Sequence, residues 1–351
     1  MRETESVSSC CRVALLGFGT VGSAVARRLT APEFPPHIRL THIVDRRAGE
    51  KRAAQRADGR DDEIAWTSSF DEVLQSGADV VVEAIGGVEP AAGWIRAALL
   101  AGKSVVTANK QVVARHGAEL LTLASRQGRQ LRFEAAVGGA MPIVRAIGEG
   151  LAGDRITRLV AVLNGTTNAV LSQMEEIGCT LEAALREARA RGYAEADTSA
   201  DLDGHDACAK LAILCALAFG LRLDPAQIDV HSSASIGVAD FRSARRRGAT
   251  IRQIARADYD HAARTLTASV GPVEVACGSI FGRTRGAQNA AVITGAHSGE
   301  TGIFGAGAGG DATAVAVLGD IAAIARDRHA IVSAPVLSSE FQVRSFLAEA
   351  V

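Results

Sequence analysis

Residues 17–22 read Gly17-Phe18-Gly19-Thr20-Val21-Gly22, a G-x-G-x-x-G pattern set between an apolar run at 13–16 and a helix-periodic stretch at 21–29. Few hexapeptides restrict a local fold as much. The first glycine permits a tight turn from strand to helix, and the second lets backbone approach a pyrophosphate. The third lets helix and strand pack closely, with the helix N-terminus facing the phosphates. The pattern alone is weak, and its strand and helix context gives it weight. Asp45 closes the next apolar run, 23 residues after Gly22, where an acid accepts hydrogen bonds from an adenosine ribose. Arg46 and Arg47 follow at once and suit a 2′-phosphate, which tilts the expected cofactor from NAD toward NADP. The segment predicts a dinucleotide-binding α/β domain.

Short apolar runs at 13–16, 38–44, 80–84, 105–107 and 131–133 alternate with helix-like spacing at 21–29, 70–75, 91–100 and 112–126. This is the pattern of a doubly wound parallel sheet of Rossmann type. A chain of 351 residues has room for a second domain. The character changes after Pro142, with strand pattern at 158–163, helices at 168–177, 181–191 and 206–219, and a mixed stretch at 221–303 that becomes strand-rich at its end. The expected organisation is a tail at 1–11, a nucleotide domain at 12–145, a second α/β domain at 146–310, a helix at 311–326 returning to the nucleotide domain, and a tail at 327–351.

The formal charge of −1 supplies no field for nucleic acid or an anionic membrane. The run Arg242, Arg245, Arg246, Arg247 has no aromatic interleaving and reads as a solvated face. The longest nearly unbroken apolar run, 211–221, is about half the roughly 20 residues a membrane span needs, and the N-terminus lacks a signal-peptide core, so a cytoplasmic location is expected. Six cysteines at 10, 11, 179, 208, 215 and 277 form no C-x-x-C and read as reduced thiols.

Of 38 basic residues only four are lysine: Lys51, Lys103, Lys110 and Lys210. Arginine holds its proton too firmly for acid–base work, so the lysines are where proton chemistry is sought. Lys51 lies in a charged run and Lys103 in a turn before a strand, and neither context asks for chemistry. Lys210 follows five acids at 195, 197, 201, 203 and 206. An EF-hand register fails, because aligning Gly204 to the sixth position puts Lys210 where a bidentate Glu belongs. Asp206 and Lys210 are i and i+4 and share a helix face. A lysine at the head of so apolar a helix, among carboxylates, suits proton exchange with a substrate oxygen, and the surrounding acids suit a substrate amine.

Several segments together resemble the homoserine dehydrogenases. They are GFGTVG, VVVEAIGG at 80–87, AGKSVVTANK at 101–110, EAAVGGAMPIV at 134–144, LNGTTNAVL at 163–171, residues 192–214, and GAGAGGDATAVAVLGD at 305–320. The resemblance runs over roughly residues 10–325. It implies NAD(P)-dependent interconversion of L-homoserine and L-aspartate 4-semialdehyde in threonine, isoleucine and methionine biosynthesis, by a homodimer whose second domain binds substrate and dimerises. By matched position it makes Lys210 the proton-transferring lysine, Lys110 a second lysine between cofactor and substrate, and Glu195 the acid at the substrate amine, with Asp201 and Asp206 in the same pocket. It also implies a sodium-type site on the carbonyls of Glu134, Val137, Gly139 and Met141, and a late glycine loop, Gly305, Gly307 and Gly309, near the nicotinamide. Relatives commonly have Pro-Thr where this chain has Thr198-Ser199, Tyr at Ala169 and Pro-Thr-Ala at 312–314; these departures touch no proposed catalytic side chain but loosen loop geometry and leave room for a related dehydrogenase with an altered substrate. The regulatory ACT domain of many relatives has no counterpart, so feedback through it is not expected.

Two other readings stand beside this one. Aspartate-semialdehyde dehydrogenase has a similar architecture but needs an activated cysteine nucleophile. A silent NADP-binding sensor or scaffold would need no proton-transfer lysine.

Overall fold

The computed structural model describes residues 10–57, 63–194, 197–330, 332 and 334–344. They fall into two compact units, one running up to Ala135 and resuming at Ala314–Ala334, the other comprising Ala136–Thr313 and the chain from Pro335. The first unit therefore ends earlier than the expected 145.

The first unit is built on β1 (Cys11–Leu16), α1 (Thr20–Leu29), β2 (Ile38–Val44), α2 (Ala48–Ala57), β3 (Ala65–Thr67), α3 (Phe70–Gln75), β4 (Val80–Glu83), α4 (Ala91–Leu100), β5 (Ser104–Thr107), α5 (Lys110–Arg126) and β6 (Leu131–Arg132). The six strands are parallel, in the order β3-β2-β1-β4-β5-β6. Residues 13–16 and 80–82 are wholly inaccessible, as strands covered on both faces must be. One cover is α1, through Ala24, Val25 and Leu29; another is the helix Gly310–Arg326, through Val317, Leu318, Ile321 and Ile324. Burying each large side chain is worth about 1.5–3 kcal/mol. The order reverses beside β1, so the crevice at the carboxyl ends of β1 and β4 is the expected ligand position. α2 and β3 were not anticipated, because α2 is too polar to announce a buried face.

The second unit contains α6 (Ile143–Arg145), β7 (Ile156–Val162), α7 (Gly165–Ile177), α8 (Leu181–Ala190), α9 (Ser199–Leu202), α10 (His205–Phe219), β8 (Asp229–Val230), α11 (Val238–Arg246), β9 (Ala249–Asp260), β10 (Thr265–Ala276), α12 (Ile280–Arg283), β11 (Gln288–Gly295), β12 (Gly299–Ala306) and β13 (Gln342–Arg344). Its sheet runs β12-β11-β7-β9-β10-β13, with β8 also on β10. Val170, Leu171 and Met174 of α7 pack with Ala184, Ala188, Phe241 and Ile251. Arg252 is wholly buried on β9, its guanidinium bonded to Glu175 and to the carbonyls of Ile251, Gly282 and Thr284. The expected tail at 327–351 is not all tail. β13 pairs in parallel with β10, and Arg264 meets Glu340 at 3.3 Å. Among the described residues no helix is long and apolar enough to cross a membrane.

Candidate active site

The glycine loop of the first unit is shaped by close contacts. Gly17 has φ +93°, and a Cβ there would lie 2.7 Å from the Ala84 carbonyl oxygen; one at Gly22 would lie 2.0 Å from that of Gly17. A Cβ at Gly19 would meet open space. α1 starts at Thr20 with no side-chain cap and no acid in its first turn. Its amide end is thus free to take a pyrophosphate, which is the fit a dinucleotide requires. The adjoining cleft, about 420 Å³, is lined among others by Gly17, Phe18, Gly19, Asp45, Arg46, Lys51, Gly86 and Trp94.

Asp45 does more there than await a ribose. One of its oxygens accepts from the Phe18 N–H at 2.9 Å and from Lys51 Nζ at 2.6 Å, and the other accepts from the Arg47 N–H at 2.9 Å. Burial pushes this carboxyl up, but those hydrogen bonds outweigh it and hold it below its ordinary 3.8. Lys51 also donates to the Phe18 carbonyl at 2.8 Å, so the two peptide units on either side of the Phe18 Cα, both in the glycine loop, are held by one ion pair. This corrects the view of Lys51 as a surface residue without a task. Lys103 needs the same correction: it is buried and donates to the carbonyls of Ser76 and Ala78.

Lys110 opens α5, whose cap is Asn109, accepting from the N–H groups of Gln111 and Val112. Asn109 donates to the Gly87 carbonyl at 2.6 Å, and its own N–H bonds to the Thr107 hydroxyl, which donates to Glu83. Glu83 is fully buried at the end of β4 and also accepts from the N–H groups of Ile85 and Gly86. One buried carboxylate thus ties a wall of the cleft to the start of the helix that carries Lys110. The sequence held a signal for it, a lone acid ending the apolar run VVVE.

In the second unit the acidic loop resolves into separate tasks. Asp197 accepts from the Ser199 N–H, and Asp203 accepts from the Ser232 hydroxyl at 2.6 Å. Glu195 lies outside the described residues. Asp201 and Asp206 converge on one amide: Asn164 Nδ2 donates to each at 2.8 Å. Lys210 Nζ stands 2.9 Å from Asp206 and donates to the Leu163 carbonyl at 2.8 Å, with only 12% of its side chain exposed. The i,i+4 pair expected from the sequence is present, and it is buried. Gly204, at φ +84°, turns the chain into α10 between the two aspartates. Asn164 and the Leu163 carbonyl were not singled out beforehand.

The other expected residues are placed as follows. Glu134 belongs to the first unit and donates its N–H to Asp320, while Val137, Gly139 and Met141 belong to the second. Gly139 is left-handed, and a Cβ there would press on the carbonyls of Ala306 and Gly307. Gly305 lies in β12 opposite Asn289; Gly307 packs so closely on the Asn289 side chain that a Cβ would collide; Gly309 has φ +112° and open space. Arg242, Arg245, Arg246 and Arg247 are exposed. Burial pushes the Cys208 thiol up to about 12 and raises Cys215 as well, which disfavours a thiolate nucleophile on α10.

Comparison with known proteins gives a consistent result. The family model for the homoserine dehydrogenase NAD binding domain matches residues 17–134, and the homoserine dehydrogenase model matches 142–322. A homoserine dehydrogenase of Corynebacterium glutamicum is 37% identical over 328 residues, covering 91% of this chain and 73% of that protein. One from Mycobacterium tuberculosis is 38% identical, covering 90% and 72%. The crystal structure of a homoserine dehydrogenase from Thiobacillus denitrificans superposes with a TM-score of 0.85 at 32% identity, covering 95% of this chain and 79% of that one. A hyperthermophilic archaeal homoserine dehydrogenase in complex with NADPH gives 0.74 at 28% identity, covering 91% and 98%.

Proposed function

The chain belongs to the homoserine dehydrogenase family of NAD(P)-dependent oxidoreductases, and we propose that Lys210 moves the proton as L-homoserine and L-aspartate 4-semialdehyde interconvert. What carries this reading is the buried meeting of Lys210 with Asp206 and the Leu163 carbonyl, both within 2.9 Å. A neutral amine has two N–H bonds, and these two acceptors can take both, leaving its lone pair for the substrate hydroxyl proton. In the reverse direction the ammonium returns that proton to the aldehyde oxygen. Bound NAD(P) supplies the hydride acceptor or donor. Lys110 assists at the reacting oxygen, while Glu195 and Asp201 hold the substrate amine. Gly17–Gly22 and the amide end of α1 hold the pyrophosphate, Asp45 and Arg46 the adenosine ribose, and Gly305, Gly307 and Gly309 the nicotinamide end.

NADP is the proposed cofactor in preference to NAD. Lys51 offsets the charge of Asp45, and Arg46 adds a cation at the cleft, which suits a 2′-phosphate. A sodium-type cation on the carbonyls of Glu134, Val137, Gly139 and Met141 is proposed from the family resemblance, supported by the fixed turn in which the Met141 N–H bonds to the Gly138 carbonyl. A homodimer is proposed as well. It is supported by β12, which forms one edge of its sheet with Phe304 68% exposed and needs cover. A cytoplasmic place in threonine, isoleucine and methionine biosynthesis completes the proposal. The deciding assay is L-homoserine-dependent reduction of NADP+ and NAD+ by the purified protein. Reduction with a preference for NADP+ is expected; no homoserine-dependent reduction of either dinucleotide would overturn the proposed activity.

A further inference from the structure

Asn164 stands where β7 hands over to α7, immediately after the residue whose carbonyl receives Lys210. It is 4% exposed, and every polar atom of its side chain has a partner. Oδ1 accepts from the Thr167 N–H at 2.7 Å, capping α7; Nδ2 donates to Asp201 Oδ1 and Asp206 Oδ2, each at 2.8 Å. The cap alone would be served equally well by Asp and nearly as well by Ser. The two donated bonds would not, because only an amide offers two N–H groups from one nitrogen in a plane while Oδ1 accepts on the other side.

Two carboxylates that share a donor at this range would otherwise face each other with like charge in a buried place. Asp206 Oδ2 is the same oxygen that meets Lys210, so whatever orients Asp206 orients the lysine's partner. From this geometry we infer that Asn164 is a positioning residue for the reaction: its amide holds Asp206 against Lys210 and holds Asp201 toward the substrate, with α7 as the rigid mount. The inference rests on the proposed role of Lys210. It adds a residue that touches neither hydride nor proton and acts through two that serve them.

The test uses Asn164→Asp and Asn164→Ser in the full chain, measuring kcat, both KM values and thermal melting. If capping were the whole role, Asn164→Asp would be the milder change. On the positioning role it is the more severe, since it preserves shape and cap but sets a third carboxylate against two. The expected result is a melting temperature within a few degrees of wild type, an NADP KM within about twofold, and a kcat lowered at least 100-fold for Asn164→Asp and about tenfold for Asn164→Ser. In an Asp206→Asn background the kcat cost of Asn164→Ser should shrink to under about twofold, because of the two carboxylates it holds the one that meets Lys210 has gone. A folded Asn164→Asp enzyme within about threefold of wild-type kcat would overturn the inference. So would an equal cost of Asn164→Ser in both backgrounds, and that comparison carries the test should Asn164→Asp fail to fold. Lys210→Arg measured alongside separates the two claims. Turnover retained by Lys210→Arg removes the proton-transfer reading, whereas an inactive Lys210→Arg beside a normal Asn164→Asp removes the Asn164 role alone.

Discussion

Lys51 and Lys210 each meet an aspartate, at 2.6 and 2.9 Å, and each donates a second bond to a main-chain carbonyl at 2.8 Å. By inventory the two regions hold the same device. They differ in what the aspartate does with its remaining capacity. Asp45 is bonded to the N–H groups of Phe18 and Arg47, so its pair with Lys51 fixes backbone. Asp206 accepts from a side-chain amide that also holds a second carboxylate, so its pair with Lys210 sits in a cluster of groups able to bind or exchange protons. A lysine's task is therefore read from the partners of its partner. On the proposed roles, charge suffices for Lys51, whereas Lys210 needs the ability to give up a proton as well.

Conservative replacement should break the likeness most. Lys210→Arg keeps the cation and loses the exchange, so kcat should fall by about 10²- to 10⁴-fold with NADP KM little changed; steady-state kinetics in both directions would show it. Lys51→Arg, by contrast, should leave NADP KM within about threefold of wild type, while Lys51→Met raises it about tenfold, as expected for loss of a hydrogen bond to a charged group. If Lys51→Arg were as damaging as Lys210→Arg, the distinction between the two pairs would collapse.

Acid sharpens the contrast further. The Asp45 carboxyl lies below its ordinary 3.8 in the folded state, so it contributes stability that is present above that value and is lost as pH falls through the lower folded value. Urea midpoints measured at neutral pH and near about pH 3 should differ less in Lys51→Met than in wild type. The smallest effect is expected at Lys103, which burial holds below the usual lysine range against the opposing charge of Asp79, and whose hydrogen bonds go to the carbonyls of Ser76 and Ala78. Lys103→Met should cost about 1–2 kcal/mol by thermal melting and leave kcat and both KM values unchanged.

Much of this was legible in the sequence where one physical cause dominated. Strands buried on both faces announced themselves as apolar runs, and the helices at 70–75 and 91–100 fall where their spacing put them. The glycine loop was readable because steric exclusion leaves only glycine at 17 and 22. The bonds made by Lys51 were not readable, since its partner Phe18 is distant in sequence and the acceptor is a carbonyl, which carries no side-chain signature. The division of labour among the acids at 197, 201, 203 and 206 was hidden for the same reason: identical residue types were sent to a backbone N–H, a hydroxyl and a shared amide. β13 has three residues and no buried face of its own to advertise it.

The helix Gly310–Arg326 has a consequence in time as well as in space. It supplies Ala314, Val317, Leu318, Ile321 and Ile324 to a sheet whose strands were all made before residue 135. On the ribosome the first unit must wait, one face of its sheet incomplete, while residues 136–313 of the other unit are synthesised. The nascent chain thus carries an unfinished apolar surface for most of its translation, and the unit that is first in sequence is among the last to close.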